Sequence, residues 1–146
     1  MGMKILVDTN VILDVLLDRT PFSEPAARLF ALIENSAVEA FLCATTVTTV
    51  DYLLNQSLSR SEATRALLRL LELFEIAPVN RPVIEEALQG RMMDFEDAVL
   101  AHSANLVGAV AVVTRNTKDF KFSPVKAVDP REILSLLENK TATHRN

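Results

Sequence analysis

The chain has few of the residues that build covalent or membrane-spanning frameworks. It contains a single cysteine and no tryptophan among its 146 residues. One cysteine excludes an internal disulfide framework and a metal site built from several thiolates. No apolar stretch approaches the roughly 20 residues that a membrane-spanning helix needs. The N-terminal segment meets Lys4 and Asp8 too early for a secretory signal peptide, so we expect a cytoplasmic protein with no membrane partner.

Basic charge is also scarce. The formal net charge is −4, whereas non-specific binding to nucleic acids normally depends on an excess of Lys and Arg. This argues against a long basic groove. It does not exclude a nucleic-acid substrate, because cations bound among clustered acids would reverse the local field. Aliphatic side chains are abundant instead: hydrophobic residues make up 49% of the chain, which is long enough for one domain with its own core.

Short apolar segments alternate with helical patterns along the whole chain. The predicted strands cover residues 5–7, 39–43, 75–79, 109–113 and 126–128. The predicted helices cover 11–17, 22–33, 45–54, 94–106 and 130–138, with one more after the capping box at Ser59 and another that Asn80 caps. Such alternation with short connections implies a mainly parallel sheet covered by helices on both faces. We therefore expect one α/β domain over residues 1–138 and a flexible C-terminal tail over 139–146.

Four acidic residues stand where this fold would bring them together. Asp8 directly follows the first predicted strand, Asp119 lies in the loop after the 109–113 strand, and Asp94 and Asp97 begin a helix. In open parallel sheets, ligands collect beyond the carboxyl ends of the strands. Clustered carboxylates repel one another unless a cation or protons neutralise them, and Mg²⁺ and Mn²⁺ prefer oxygen ligands. The pattern predicts a divalent-metal site that activates water against a phosphodiester.

Each piece alone has a simpler interpretation. Asp94 and Asp97 are typical of a helix N-cap and first turn, where the helix dipole favours acids. An Asp after a strand is commonly a turn residue. The loop over residues 114–119 is typical of an ordinary polar connection. The joint pattern favours a metal cluster more than any one piece does.

Three motifs follow one another in a fixed order along the chain. They are Asp8-Thr9-Asn10 after a strand, Phe95-Glu96-Asp97-Ala98 at a helix start, and Thr114-Arg115-Asn116-Thr117-Lys118-Asp119-Phe120 after a later strand. Together they resemble the PIN-domain family, which includes the VapC-type toxins of bacterial toxin–antitoxin pairs. The resemblance extends over residues 4–137, nearly the whole chain. It implies a Mg²⁺- or Mn²⁺-dependent ribonuclease on a five-stranded parallel sheet flanked by helices.

The resemblance also implies roles for individual residues. The metal-binding and catalytic acids would be Asp8, Asp97 and Asp119, with Asp94 as an additional acid common in one branch of the family. The polar residues that frame the site would be Thr9, Asn10, Thr114 and Asn116. Arg115, Lys118 and Lys121 bracket Asp119 in the sequence and are candidates for contacts to RNA phosphates.

One position departs from the family pattern. A further acid usually lies on the helix that corresponds to residues 45–54, but Thr49 occupies that position here. The nearby acid is Asp51. Two positions along a helix are separated by roughly 200° of rotation, so the side chain of Asp51 should point to a different face from that of Thr49. Three explanations are open: the alignment slips, Asp51 serves from an irregular helix, or the site lacks this ligand.

Three functions follow from these observations. The first is a metal-dependent endoribonuclease, for which the resemblance implies the role of a toxin in a toxin–antitoxin pair, with a cognate antitoxin and a homodimer. The second is a non-catalytic PIN-fold module that has an incomplete metal site and binds RNA or a protein partner. The third is a metal-dependent phosphatase, which the absence of a second acid two residues after Asp8 disfavours. The leucine-rich stretch over residues 67–73 is expected to be mainly core, and an excess apolar stripe on it could form a dimer or receive an antitoxin peptide.

Overall fold

The computed structural model describes residues 2–145, and side chains up to Asn139. The strands are β1 (Lys4–Val7), β2 (Glu39–Cys43), β3 (Glu75–Ala77), β4 (Ala111–Val113) and β5 (Ala127–Val128). The helices are α1 (Thr9–Leu16), α2 (Ser23–Glu34), α3 (Ala44–Leu54), α4 (Arg60–Leu73), α5 (Arg81–Gln89), α6 (Phe95–Leu106) and α7 (Pro130–Arg145), with a 3₁₀ turn over Thr117–Phe120.

The five strands form one parallel sheet in the order β3-β2-β1-β4-β5. The chain moves outward in one direction from β1 through β2 to β3, then crosses back to place β4 on the other side of β1. The boundary between β1 and β4 is therefore the point where the strand order reverses, which is where open α/β sheets bind ligands. The predicted five-stranded parallel sheet is confirmed.

Alternation along the strands divides the core into two layers. Ile5 and Val7 face α1, α2, α3, α4 and α7, and Leu6, between them, faces α5 and α6. All three side chains have no exposed surface. Because successive strand residues point to opposite faces, a uniformly apolar strand indicates a sheet covered on both sides. The single α/β domain with helices on both faces is thus as predicted.

Local sequence signals define several helix starts. Ser59 and Glu62 form the predicted capping box, with the Glu62 backbone N–H donating to Ser59 Oγ over 3.2 Å. The Asn80 side chain accepts from the Val83 N–H over 3.1 Å at the start of α5. The backbone of α7 continues to Arg145, beyond the predicted end at residue 138. The flexible tail over residues 139–146 stays a prediction, and Asn146 lies outside the described residues.

Within the described residues, no helix has both the length and the apolar character that crossing a membrane requires.

Candidate functional site

Two neighbouring strands deliver buried polar side chains to the point where the strand order reverses. Asp8 follows β1 and caps α1, and its backbone N–H extends the sheet pairing by donating to the Val113 carbonyl over 2.9 Å. Thr114 follows β4 and is completely buried. Asp8 is only 7% exposed, so its carboxylate lies at the floor of the site. A buried carboxylate is costly unless hydrogen bonds or a cation compensate for the lost water.

Hydrogen bonds fix both carboxylate oxygens of Asp8. Thr114 Oγ1 donates to Oδ2 over 2.8 Å, and the Asn10 amide contacts the same oxygen at 3.4 Å. The Thr9 backbone N–H donates to Oδ1 over 2.7 Å. The Asn116 N–H donates to Thr114 Oγ1 over 3.1 Å, which orients the threonine hydroxyl toward Asp8. The predicted framing residues therefore surround Asp8 and hold it in one orientation.

The other predicted acids lie above this floor. Asp94 caps α6, where its side chain accepts from the Asp97 N–H over 2.9 Å. Asp119 lies in the 3₁₀ turn after β4. Asp94, Asp97 and Asp119 line one cavity of about 420 Å³, and Lys118 stands at the same cavity. The structure thus brings together the separate acidic motifs of the sequence.

The charges of these acids act on one another. The pKa of Asp97 is raised to about 7, first by burial and then by the neighbouring charges of Asp94, Asp8, Asp119 and Glu96 in that order. Burial is also the main reason that the pKa of Asp8 is raised, although its bonds from Thr114 and Thr9 oppose the shift. At neutral pH the cluster therefore holds more negative charge than its surroundings stabilise. A cation would relieve this repulsion.

The donor chemistry fits a hard divalent cation, because every acid in the cluster offers carboxylate oxygens. In the conformation present, however, no group of three or more His, Cys, Asp or Glu side chains within the described part of the chain forms a ready-made metal-binding arrangement. Side-chain rotation would have to draw the carboxylates together. The buried Asp8, fixed by three hydrogen bonds, would be the stationary ligand, and the more exposed acids would move.

Comparison with known proteins identifies the family. A sequence model described as "PIN domain" matches residues 4–118, well over half of the chain. The chain belongs to the PIN-domain family. A comparison with curated protein sequences gives no significant match for this PIN domain.

Solved structures resemble this PIN domain over most of its length. FitAcB from Neisseria gonorrhoeae has 26% sequence identity and a TM-score of 0.64, covering 87% of this chain and 98% of the other. A toxin–antitoxin complex from Klebsiella pneumoniae has 25% identity and a TM-score of 0.66, covering 86% and 97%. VapC20 from Mycobacterium tuberculosis, described as a sarcin–ricin loop cleaving toxin, has 20% identity and a TM-score of 0.61, covering 82% and 92%, and shows the fold alone.

A fifth acid that the sequence interpretation did not select joins the cluster of this PIN domain. The charge of Glu96 raises the pKa of both Asp8 and Asp97. Its Oε1 lies 3.4 Å from Thr49 Oγ1, a contact between α6 and α3, while the same hydroxyl has a closer acceptor in the Thr45 carbonyl at 3.1 Å. The signal was present, because Glu96 lies inside the motif that contains Asp97. Because one residue of helix rotates by about 100°, helical periodicity alone does not place Glu96 on the same face as Asp97.

Asp51 does not take part in the cluster. Its carboxylate forms an ion pair with Arg60 on α4, and Arg60 Nη1 donates to Oδ2 over 3.0 Å. The Arg60 contact lowers the pKa of Asp51, which is the reverse of the shift at Asp8 and Asp97. The explanation that Asp51 serves from an irregular helix is therefore wrong. Thr49 is the residue of α3 that touches the cluster, as the helical rotation indicated.

Arg115 contacts groups of the protein itself, although its position in the sequence suggested a contact with an RNA phosphate. Its guanidinium binds the buried Asp14 carboxylate, with Nε–Oδ2 at 2.7 Å, and lies 4.0 Å from the centre of the Phe22 ring. Arg19 binds the same carboxylate at 3.0 Å and donates to the Asn10 carbonyl over 3.1 Å. The Arg115 backbone N–H also donates to the Asn10 side chain over 3.3 Å. Arg115 thus supports Asn10 from behind, and its contact with RNA stays a prediction.

Proposed function

We propose that this protein is a metal-dependent endoribonuclease that hydrolyses RNA phosphodiesters at the acidic cluster. The observation that carries the proposal is that Asp94, Asp97 and Asp119 line one cavity at the edge of the sheet where the strand order reverses, and their mutual charges help to raise the pKa of Asp97 to about 7. Strongly shifted acids in such a position are typical of functional sites. Membership of the PIN-domain family supports the same conclusion.

Each acid has a proposed task. Asp8, Asp97, Asp119 and Asp94 would hold Mg²⁺ or Mn²⁺, and Asp8 would set the depth at which the cation lies. When bound, the cation supplies Lewis acidity that activates water and stabilises the developing charge on the phosphodiester. Thr114 keeps Asp8 in place by donating to Oδ2, so the hydroxyl acts as a positioning group. Lys118, at the mouth of the cavity, would attract the RNA phosphate.

The direct test is cleavage of RNA by the purified protein. We expect oligoribonucleotides to be cut when Mn²⁺ or Mg²⁺ is added, and cutting to stop when a chelator is present in excess. Product lengths should be followed by denaturing gel electrophoresis, with a DNA oligonucleotide of the same sequence as the control. Cleavage that continues at full rate in excess chelator would contradict the proposal.

We propose that Glu96 is a further metal ligand, and that its position compensates for the missing carboxylate on α3. Thr49 Oγ1 and Glu96 Oε1 are 3.4 Å apart, so a carboxylate at position 49 would occupy the same side of the cluster. We expect Glu96→Gln to weaken Mn²⁺ binding by about 10- to 100-fold, measured by isothermal titration calorimetry. Adding Thr49→Glu to that variant should recover most of the affinity.

The exposed Glu85 provides the matched control for this exchange. Glu85 forms an exposed pair with Arg81 on α5 and does not contribute to the shifts of Asp8 or Asp97. Glu85→Gln should therefore bind Mn²⁺ as the wild type does. A role for Glu96 only in stabilising the start of α6 predicts lower thermal stability with unchanged Mn²⁺ affinity, and no recovery by Thr49→Glu. That result would remove Glu96 from the ligand set.

We also propose that the nuclease is the toxin of a toxin–antitoxin pair, acting in the cytoplasm as a homodimer that a cognate antitoxin restrains. The similarity to a toxin–antitoxin complex from Klebsiella pneumoniae supports the antitoxin. On this chain, Leu68 and Leu71 of α4 are 56% and 49% exposed, which leaves apolar surface for a protein partner. A small overlapping reading frame upstream of the gene would support this assignment.

A second candidate function is a non-catalytic module that binds RNA or protein through the PIN fold. It is favoured by Thr49 on α3 and by the lack of a ready-made metal-binding arrangement among the described side chains. Calorimetry separates the two candidates, since Mn²⁺ affinity in the millimolar range or weaker, together with no RNA cleavage, favours the binding module.

A further inference from the structure

The cavity beside the acidic cluster has apolar lining that metal binding does not use. Asp94, Asp97 and Asp119 line this cavity of about 420 Å³. Met93 and Phe122 also line it, and they are 98% and 44% exposed. Large apolar side chains at such exposure beside a polar site are typical of ligand contacts. The volume falls in the range of small-molecule sites.

The Phe122 ring is held outward by a turn that is anchored on both sides. Phe120 and Val125 are buried, with 4% and 5% of their surfaces exposed. The Ser123 backbone N–H donates to the Phe120 carbonyl over 3.0 Å, and the Val125 N–H donates to Ser123 Oγ over 3.1 Å. These contacts fix the backbone around Phe122. The ring is therefore presented to the cavity with little further ordering cost on binding.

Cationic groups surround this ring, although the chain as a whole is acidic. The Arg91 guanidinium carbon lies 4.1 Å from the Phe122 ring centre, and Lys121 Nζ lies 5.5 Å from it. Lys118 and Lys121 also line the cavity, and neither forms an ion pair with another described residue. Because Arg91 lies over one face of the ring, a base would stack on the opposite face. An aromatic face next to unpaired cations suits a flat base joined to a phosphate, which is how proteins bind single-stranded nucleic acids.

We propose that this cavity binds one nucleobase of single-stranded RNA, next to the phosphate that the acidic cluster would hydrolyse. Phe122 stacks on the base, Met93 adds an apolar contact, and Lys118 and Lys121 hold the adjoining phosphate. The proposal rests on the proposed nuclease function for the position of the scissile bond. It adds a subsite that selects single strands, because a paired base cannot turn out of its helix without breaking its pairing.

The test compares two exposed phenylalanines near the start of α6. Phe122 lines the cavity, whereas Phe95 is 49% exposed and does not. The probe is a mixed-sequence fluorescent 12-nucleotide RNA. We expect Phe122→Ala to raise KM about 10-fold with kcat changed less than about twofold, since base stacking contributes to binding rather than to the reacting atoms. Phe95→Ala should leave both constants unchanged, and Phe122→Trp should keep the wild-type KM.

Anisotropy binding of the same RNA in chelator gives a readout that does not depend on cleavage. Weaker binding by Phe122→Ala than by Phe95→Ala supports the subsite even if the wild type does not cleave, in which case the nuclease proposal alone fails. Equal RNA binding and equal KM for the two variants overturn the subsite and leave the nuclease proposal intact. Once the cut site is mapped, an abasic nucleotide beside it should weaken wild-type binding and add no further loss in Phe122→Ala.

Discussion

Replacing Asp97 with Asn is expected to reduce RNA cleavage by about 10³-fold. A catalytic cation stabilises transition-state charge by several kcal/mol, and each 1.36 kcal/mol corresponds to a factor of about ten in rate. Asp97 lines the cavity with Asp94 and Asp119 and interacts electrostatically with Asp8, so it lies nearest the centre of the cluster. Asn keeps the shape of the side chain and loses the charge that would hold the cation. Initial rates of oligoribonucleotide cleavage in Mn²⁺ measure the effect.

The metal-free stability of the same variant should change in the opposite direction. The pKa of Asp97 is raised to about 7 in the folded protein, above its ordinary value of 3.8. As pH rises between these values, the unfolded chain releases a proton that the folded protein keeps, so the folded protein loses stability over that interval. The loss is complete above about pH 7. We therefore expect metal-free Asp97→Asn to unfold at a higher urea concentration than the wild type at about pH 8, and at the same concentration near pH 4.

Asp18 provides the control for this pair of measurements. It is an exposed acid with φ of 48°, a backbone conformation that Asn adopts readily, and its charge does not shift Asp8 or Asp97. Asp18→Asn should leave both the cleavage rate and the urea transition unchanged. Wild-type cleavage by Asp97→Asn would contradict the catalytic assignment. Reduced metal-free stability of Asp97→Asn at pH 8 would show that its carboxylate supports the fold instead.

Much of the site could be predicted because it depends on local signals. A uniformly apolar strand ends at Asp8, and Asp94 begins α6 as a typical N-cap. The carboxyl ends of parallel strands meet at one edge of the sheet, so the order of elements along the chain was sufficient to predict that these acids lie close together. The five-stranded parallel sheet followed from the same alternation and from the family resemblance.

The parts that could not be predicted depend on contacts between distant segments. The carboxylate of Glu96 lies 3.4 Å from the hydroxyl of Thr49, which is 47 residues earlier in the chain. Asp51 faces away from the cluster and forms an ion pair with Arg60 on the next helix. Helical periodicity gives the direction in which each side chain leaves its helix, but not which neighbouring helix it meets. The direction of Asp51 was therefore foreseen, whereas its partner was not.

Asp14 shows the same limit for a residue inside a helix. Its side chain is fully buried on the apolar side of α1, between Leu13 and partly buried Val15, where an acid needs a partner. One partner, Arg19, lies five residues away and could be found by local inspection. The other, Arg115, lies 101 residues away in the loop that also contains Asp119, and its position there suggested a contact with RNA. The charge of Arg115 is largely committed to the fold.

Asp14→Asn is therefore expected to destabilise the protein by about 3 kcal/mol, which corresponds to roughly 10 °C in Tm for a chain of this size. The buried carboxylate binds Arg19 at 3.0 Å and Arg115 at 2.7 Å, and Asn cannot neutralise either guanidinium. Both arginine side chains are partly exposed, at 39% and 27%, so water can compensate in part, which keeps the loss at the lower end for broken buried pairs. Urea unfolding at neutral pH measures the change.

Glu24→Gln is the matched control, because it removes a charge from the exposed Glu24–Arg28 pair on α2. Solvent screens such a pair, so its loss should cost less than about 0.5 kcal/mol. If Asp14→Asn is no more destabilising than Glu24→Gln, the two arginines do not depend on Asp14 and the buried network does not support the site.

If the large loss is found, Asn10 should also lose order, because Arg19 and Arg115 hold its carbonyl and its side chain. The Asn10 amide lies 3.4 Å from the Asp8 carboxylate. Loss of the ion pairs of Asp14 would therefore also disturb the acidic cluster, because Asn10 would no longer hold Asp8 in place.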